Sequence, residues 1–212
     1  MTAEERSSTS GALTGFNIVL IATYEMGRQP FGLASPAAWL RAEGAHVTCL
    51  DLALERLNPH ALAKADLIAF HLPMHTATRL AAEFLPRVQR LNRHAHISCY
   101  GLYAPVNEPY LRQLGADSIL GGEFERGLLH LAQRLARGEA SPALPQPEPA
   151  IALERLPFIP PDRTRLPDLQ RYAHLTMPDS TTRVVGYTEA SRGCKNLCRH
   201  CPVVPVYNGR FF

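Results

Sequence analysis

Between residues 16 and 137, short apolar β-branched runs alternate five times with segments of helical periodicity, and few architectures accept that order. The run Phe16 to Thr23 (FNIVLIAT) has no polar alternation, as a strand covered on both faces requires. His46 to Asp51, Asp66 to His71, Ala95 to Gly101 and Asp117 to Leu120 read as four further strands. The first intervening helix is expected to start with Ser35 as N-cap and Pro36 as first helical residue, running through Trp39 and Leu40 to Gly44. A short helix spans Pro59 to Lys64. A longer one covers Thr76 to Asn92, with Leu80, Phe84, Val88 and Leu91 at three- and four-residue spacing. Asn107 caps a helix ending near Gly115, and Glu123 to Arg137 places Leu128, Leu131 and Leu135 on one face.

Strands joined by crossovers of this length pair in parallel with right-handed connections, which predicts a doubly wound α/β domain over residues 16–137. A flavodoxin- or Rossmann-like sheet is expected, with the flavodoxin-like strand order preferred. Residues 1–15 carry Glu4, Glu5, Arg6 and several Ser and Thr, and read as a disordered lead-in. Composition changes at Gly138: eight of the 18 prolines lie between Pro142 and Pro167, so 138–182 is expected to be an extended linker laid over the first domain. Arg183 to Ala190 is a further apolar strand, opening a second unit over 183–212.

No apolar run approaches the roughly 18–20 residues of a membrane span, and the N-terminus lacks the pattern of a signal peptide. A cytoplasmic location is expected, with no membrane partner. The formal charge of +3 is spread along the chain without a basic block, so nucleic acid is not implied. Of five cysteines, Cys49 and Cys99 lie in strand-like stretches, whereas Cys194, Cys198 and Cys201 fall within eight residues. In a reducing compartment such a cluster points to metal or redox chemistry rather than disulfides.

The cluster reads Glu189-Ala-Ser-Arg-Gly193-Cys194-Lys-Asn-Leu-Cys198-Arg-His-Cys201-Pro202. Thiolates at spacings of four and three converge from one loop onto a compact cluster. A [4Fe–4S] cube takes four ligands, and three cysteines leave one iron open for another molecule. Structural zinc is the competing reading, but His200 lies too close to Cys201 to serve easily as a fourth ligand.

This motif, following a strand and a glycine, resembles the radical S-adenosylmethionine (SAM) superfamily, with His200 in the usual aromatic position. The resemblance implies that Cys194, Cys198 and Cys201 hold a [4Fe–4S] cluster and that SAM occupies the open iron. One electron then cleaves SAM to methionine and a 5′-deoxyadenosyl radical. It also implies a partial barrel whose first strand precedes the cysteines. An α/β domain, a proline-rich linker and then this motif resemble the cobalamin-binding subclass. There Gly101, Gly121, Gly122 and Glu123 would line a cofactor pocket beyond the carboxyl ends of the strands. Two departures stand out: the loop Tyr24 to Gly32 lacks the Asp-x-His-x-x-Gly signature, and Phe124 replaces a glycine. Glu123 and Glu125 equally suit the first turn of a helix, where carboxylates favour the dipole. His71 and His75 flank the end of the third strand, where they either face a ligand or serve as loop residues with ordinary hydrogen bonds, the latter being favoured; Trp39 reads as core.

The chain is thus expected to be the N-terminal part of a radical SAM enzyme acting on a small-molecule or peptide substrate, with a cobalamin cofactor in prospect and without the full catalytic machinery of its parent. The alternative is a stand-alone cobalamin- or nucleotide-binding module with a vestigial cysteine tail.

Overall fold

The computed structural model of the chain describes residues 11–139 and 146–212. Six parallel strands form one sheet: β1 (Asn17–Ala22), β2 (His46–Asp51), β3 (Leu67–His71), β4 (His96–Tyr100), β5 (Ser118–Gly122) and β6 (Ile151–Ala152). Their order is β2-β1-β3-β4-β5-β6, so the first five follow the flavodoxin-like order with its switch point between β1 and β3.

Strand alternation sorts the core into two layers. Ile18, Leu20 and Ala22 point to α1 (Phe31–Ala42) and α6 (Phe124–Ala136), meeting Leu33, Leu40, Leu128 and Leu131. Val19 and Ile21 point the other way, toward α2 (Pro59–Ala63), α3 (His75–Leu91), α4 (Tyr103–Val106) and α5 (Glu108–Gln113), where Leu62, Leu85, Val88 and Leu111 are buried. Both faces are covered, which is why the central strands β1 and β3 are almost wholly apolar.

Helix α1 starts five residues earlier than the Ser35-Pro36 pair suggests: Pro30 is the N-cap, and Pro36 lies inside the helix. Proline has no N–H for the carbonyl four residues back, which here is Gly32. The Tyr100 hydroxyl donates to that oxygen at 2.8 Å, so a long-range donor replaces the missing helical one. The buried stripe of α3 is Ala77, Ala81, Leu85 and Val88, offset from the expected one, and Leu91 is exposed.

The lead-in boundary also moves. Residues 1–10 lie outside the described residues, but 11–15 form a turn with Leu13 fully buried and its N–H donating to Glu43 O at 2.9 Å. An apolar side chain under the α1–β2 connection orders this segment. Residues 140–145 of the expected linker lie outside the described residues. Those that follow are part of the α/β layer. The Gln146 amide exchanges two hydrogen bonds with the Ile119 backbone at 2.8 and 2.9 Å, and β6 then pairs with Gly121 and Gly122. Ion pairs Arg134–Glu148 (2.9 Å) and Arg41–Asp162 (2.6 Å) hold the same segment to α6 and α1.

The strand expected over Arg183 to Ala190 is realised only at its start. β8 (Thr182–Val184) pairs antiparallel with β7 (His174–Thr176) in an exposed hairpin, and residues 185–190 join no ladder. An apolar run becomes a barrel strand only when parallel neighbours cover it, and none does so among the described residues. The chain closes with α7 (Val203–Tyr207), packed with Val206 and Tyr207 buried.

Candidate functional site

The carboxyl ends of β1, β3, β4 and β5 meet the C-terminal segment, and the polar groups of the fold concentrate there. Glu125, in the first turn of α6, is buried and accepts two hydrogen bonds from the Arg192 guanidinium, at 2.7 and 2.9 Å. Ser35 Oγ of α1 donates to the same carboxylate at 2.8 Å. Arg192 also donates to Glu189 at 2.7 Å and reaches Glu123 at 3.4 Å. Its guanidinium lies 4.5 Å from the ring centre of Phe124. Phe124 in turn packs on Tyr100 and His71, with ring centres 5.0 and 5.8 Å apart.

The two carboxylates flanking Phe124 are driven in opposite directions. Burial pushes Glu125 upward, but the hydrogen bonds and charge of Arg192 outweigh it and hold the carboxyl below its ordinary range. For Glu123 burial dominates and raises it, with the more distant Arg192 giving only partial relief. The Tyr207 hydroxyl donates to Glu123 at 3.2 Å. Glu123 occupies the N-cap position of α6, but its side chain bonds Tyr207 of α7 and Arg192 rather than the helix.

The glycines expected to face a ligand face the protein's own chain. A Cβ on Gly121 would lie 2.2 Å from Pro105 Cγ, and one on Gly122 (φ +69°) would lie 2.1 Å from the Ala152 carbonyl oxygen. Their lack of a side chain admits β6 and α4. Gly101 (φ +103°) turns β4 away beneath Leu72, whose carbonyl oxygen would lie 3.0 Å from a Cβ. His71 sits at the end of β3, buried, with Nδ1 2.7 Å from a carboxylate oxygen of Glu25 in the loop after β1. His75 is exposed, and Trp39 is half-buried at the rim of a cavity with Phe31, Glu123 and Arg192 rather than in the core.

A second cavity of about 280 Å³ remains over the β1/β3 switch point, bounded by Glu25, His71, Phe124, Tyr187, Arg192 and Tyr207. That is below the size of a drug-sized ligand pocket, and a corrin is much larger still. The Phe124 ring, Arg192 and Tyr207 occupy the space above the strand ends, so in this conformation the crevice does not fit cobalamin.

The cysteine loop begins directly after Arg192. Arg192 and Phe212 exchange backbone hydrogen bonds at 2.9 Å in both directions, and Cys194 N–H donates to Arg210 O at 3.1 Å. Gly193 (φ +87°) is required at this clasp, since a Cβ would come within 2.3 Å of Arg210 O. Cys194 and Cys201 are half-buried, while Cys198 and His200 are exposed. Among the described residues no three His, Cys, Asp or Glu side chains are gathered as metal ligands, so the thiols share one loop without yet converging. Their chemistry, three soft sulfur ligands on a loop closed at its base, suits an iron–sulfur cluster better than a hard cation. Cys49 and Cys99 are buried, and desolvation pushes both thiols up to about 12, leaving them inert strand residues. Sequence reading missed the Arg192–Glu125 pair. The only local signal for it is a Glu-Phe-Glu helix start and an arginine two residues before the first clustered cysteine.

No protein-family model matches the chain, and no curated protein matches its sequence. Among the described residues no helix is long and apolar enough to cross a membrane. Several solved structures are similar to part of the chain. One is a response regulator receiver domain protein from Methanospirillum hungatei, 19% identical with a TM-score of 0.43, covering 58% of this chain and 96% of that one. A chemotaxis response regulator of Vibrio cholerae is 19% identical with a TM-score of 0.41, covering 57% and 98%. The flavodoxin-like domain of a Synechococcus protein is 13% identical with a TM-score of 0.40, covering 57% and 92%. The flavodoxin-like character of the sheet rests on its own strand order.

Proposed function

We propose that this chain is the N-terminal part of a radical SAM enzyme, in which Cys194, Cys198 and Cys201 hold a [4Fe–4S] cluster and SAM takes the remaining iron. The observation that carries the reading is the Cys-x-x-x-Cys-x-x-Cys spacing on a loop clasped at its base by Arg192, Cys194, Arg210 and Phe212. When bound, such a cluster supplies the electron for reductive cleavage of SAM.

The rest is done by the chain's own residues. The clasp fixes where Cys194 leaves the protein, and the exposed Cys198 is free to turn inward as ligands gather. Gly193 gives the loop its reversal without steric cost. The α/β domain serves as the base on which the loop sits, with Phe124, Arg192 and Tyr207 filling the crevice at its strand ends. The substrate, a small molecule or peptide, would be met beyond the cysteine loop.

The test is anaerobic reconstitution with iron and sulfide, followed by desalting and metal analysis. Wild-type protein is expected to retain about four iron atoms and a brown chromophore. The Cys194→Ala/Cys198→Ala/Cys201→Ala variant should retain neither. Equal iron and colour in the triple variant would remove the basis of the proposal.

A further inference from the structure

We infer that Arg192 and Glu125 form a latch that positions the cysteine loop on the α/β domain, making Glu125, 67 residues upstream, a determinant of iron retention. The inference rests on the iron-binding reading above. Arg192 is the base of the loop and also its anchor. Its backbone pairs with Phe212 to close the loop, while its guanidinium is bound in bidentate fashion by Glu125. Glu125 is fixed on two sides, by its place in the first turn of the 13-residue α6 and by Ser35 of α1. The guanidinium plane is further held against Phe124.

Side-chain exposure is only 14% for Arg192 and 5% for Glu125, so while the loop is docked both charges are met chiefly by protein groups rather than by water. Removing Glu125 takes away both bidentate contacts and leaves the buried Arg192 with only Glu189, itself on the loop, at 2.7 Å and Glu123 at 3.4 Å, a larger effect than losing a surface ion pair. The docked loop then gives way to an undocked one in which Arg192 is hydrated. In that state Cys194 loses its fixed position beside Arg210, and gathering three thiolates around iron carries an added ordering cost.

The experiment compares Glu125→Gln with wild type and with Glu154→Gln, which removes the exposed Arg126–Glu154 pair and leaves the latch intact. In the metal-free protein, alkylation of Cys194 by iodoacetamide is followed by peptide mass spectrometry. It is expected to be about tenfold or more faster in Glu125→Gln, and unchanged in Glu154→Gln. After anaerobic reconstitution, Glu125→Gln should retain less iron than wild type, with far-UV dichroism unchanged. Arg192→Gln, which alters only the tail, should reproduce both effects and serves if Glu125→Gln fails to fold. Unchanged alkylation of Cys194 in a folded latch variant overturns the inference. So does wild-type iron retention in a variant whose Cys194 has become reactive. If wild type itself takes up no iron, the iron reading falls, and alkylation alone then decides whether the latch exists.

Discussion

Tyr100→Phe removes one hydroxyl from a fully buried ring, yet the structure assigns it a definite cost. In a regular helix the Gly32 carbonyl would receive the N–H of residue 36, which is proline. The Tyr100 hydroxyl supplies that hydrogen bond at 2.8 Å, and burial keeps the phenol protonated by raising its ionisation well above the ordinary value. Without it a buried acceptor is left unpaired, at a cost of about 1–3 kcal/mol. At roughly 2–4 °C per kcal/mol for a chain of this size, a cost of about 2 kcal/mol lowers the Tm by about 4–8 °C. Pro36→Ala restores the helical N–H. Its benefit should therefore be larger in the Tyr100→Phe background than in wild type, by about 1 kcal/mol. Urea unfolding followed by far-UV dichroism measures all four proteins, with the midpoint shifting and the m-value constant. A Tyr100→Phe change below about 0.5 kcal/mol, or an identical effect of Pro36→Ala in both backgrounds, would refute the reasoning.

Two further outcomes follow from the site. Burial, opposed in part by Arg192, raises the folded-state value of Glu123, so the folded protein holds that proton more tightly than the unfolded chain. Its contribution to stability is therefore fully present below the ordinary carboxylate range and is lost as pH rises through the raised value. Glu123→Gln abolishes this loss, and the variant's Tm relative to wild type should climb between about pH 4 and pH 7; a falling difference would contradict the assignment. In native protein, Ellman titration should count three reactive thiols, with Cys49 and Cys99 appearing only on addition of denaturant. Prompt reaction of either buried thiol would mean that its strand is not covered as described.

The five strands of the α/β layer were legible because both faces are covered and β-branched residues crowd them, a signal written within each segment. What escaped lies between segments. Pro36 ought to stop a helix, and only a hydroxyl from β4 explains why it does not. β6 has two residues set among prolines, too short for any periodicity, and it exists because Gly121 and Gly122 let it approach β5. Those same glycines, read alone, looked like a surface for a flat ligand. The Arg183 to Ala190 run has strand composition but lacks neighbours to pair with, and pairing is a property of other residues. The cysteine spacing was plain from the start, whereas its anchorage spans 67 residues and becomes visible only in three dimensions.

The pairing of β6 with β5 also bears on how such a chain can be cut and recombined. A unit ending at the close of α6 would carry β5 as a raw edge, with the Ile119 backbone stripped of Gln146 and the backbone oxygen next to Glu123 N–H gone. Exposed edges of apolar parallel strands recruit other chains. The structural module is therefore the α/β layer together with its proline-rich strap through Ala152. A shuffling event or an engineered fusion that divides the two should produce a protein prone to self-association, whatever it is joined to.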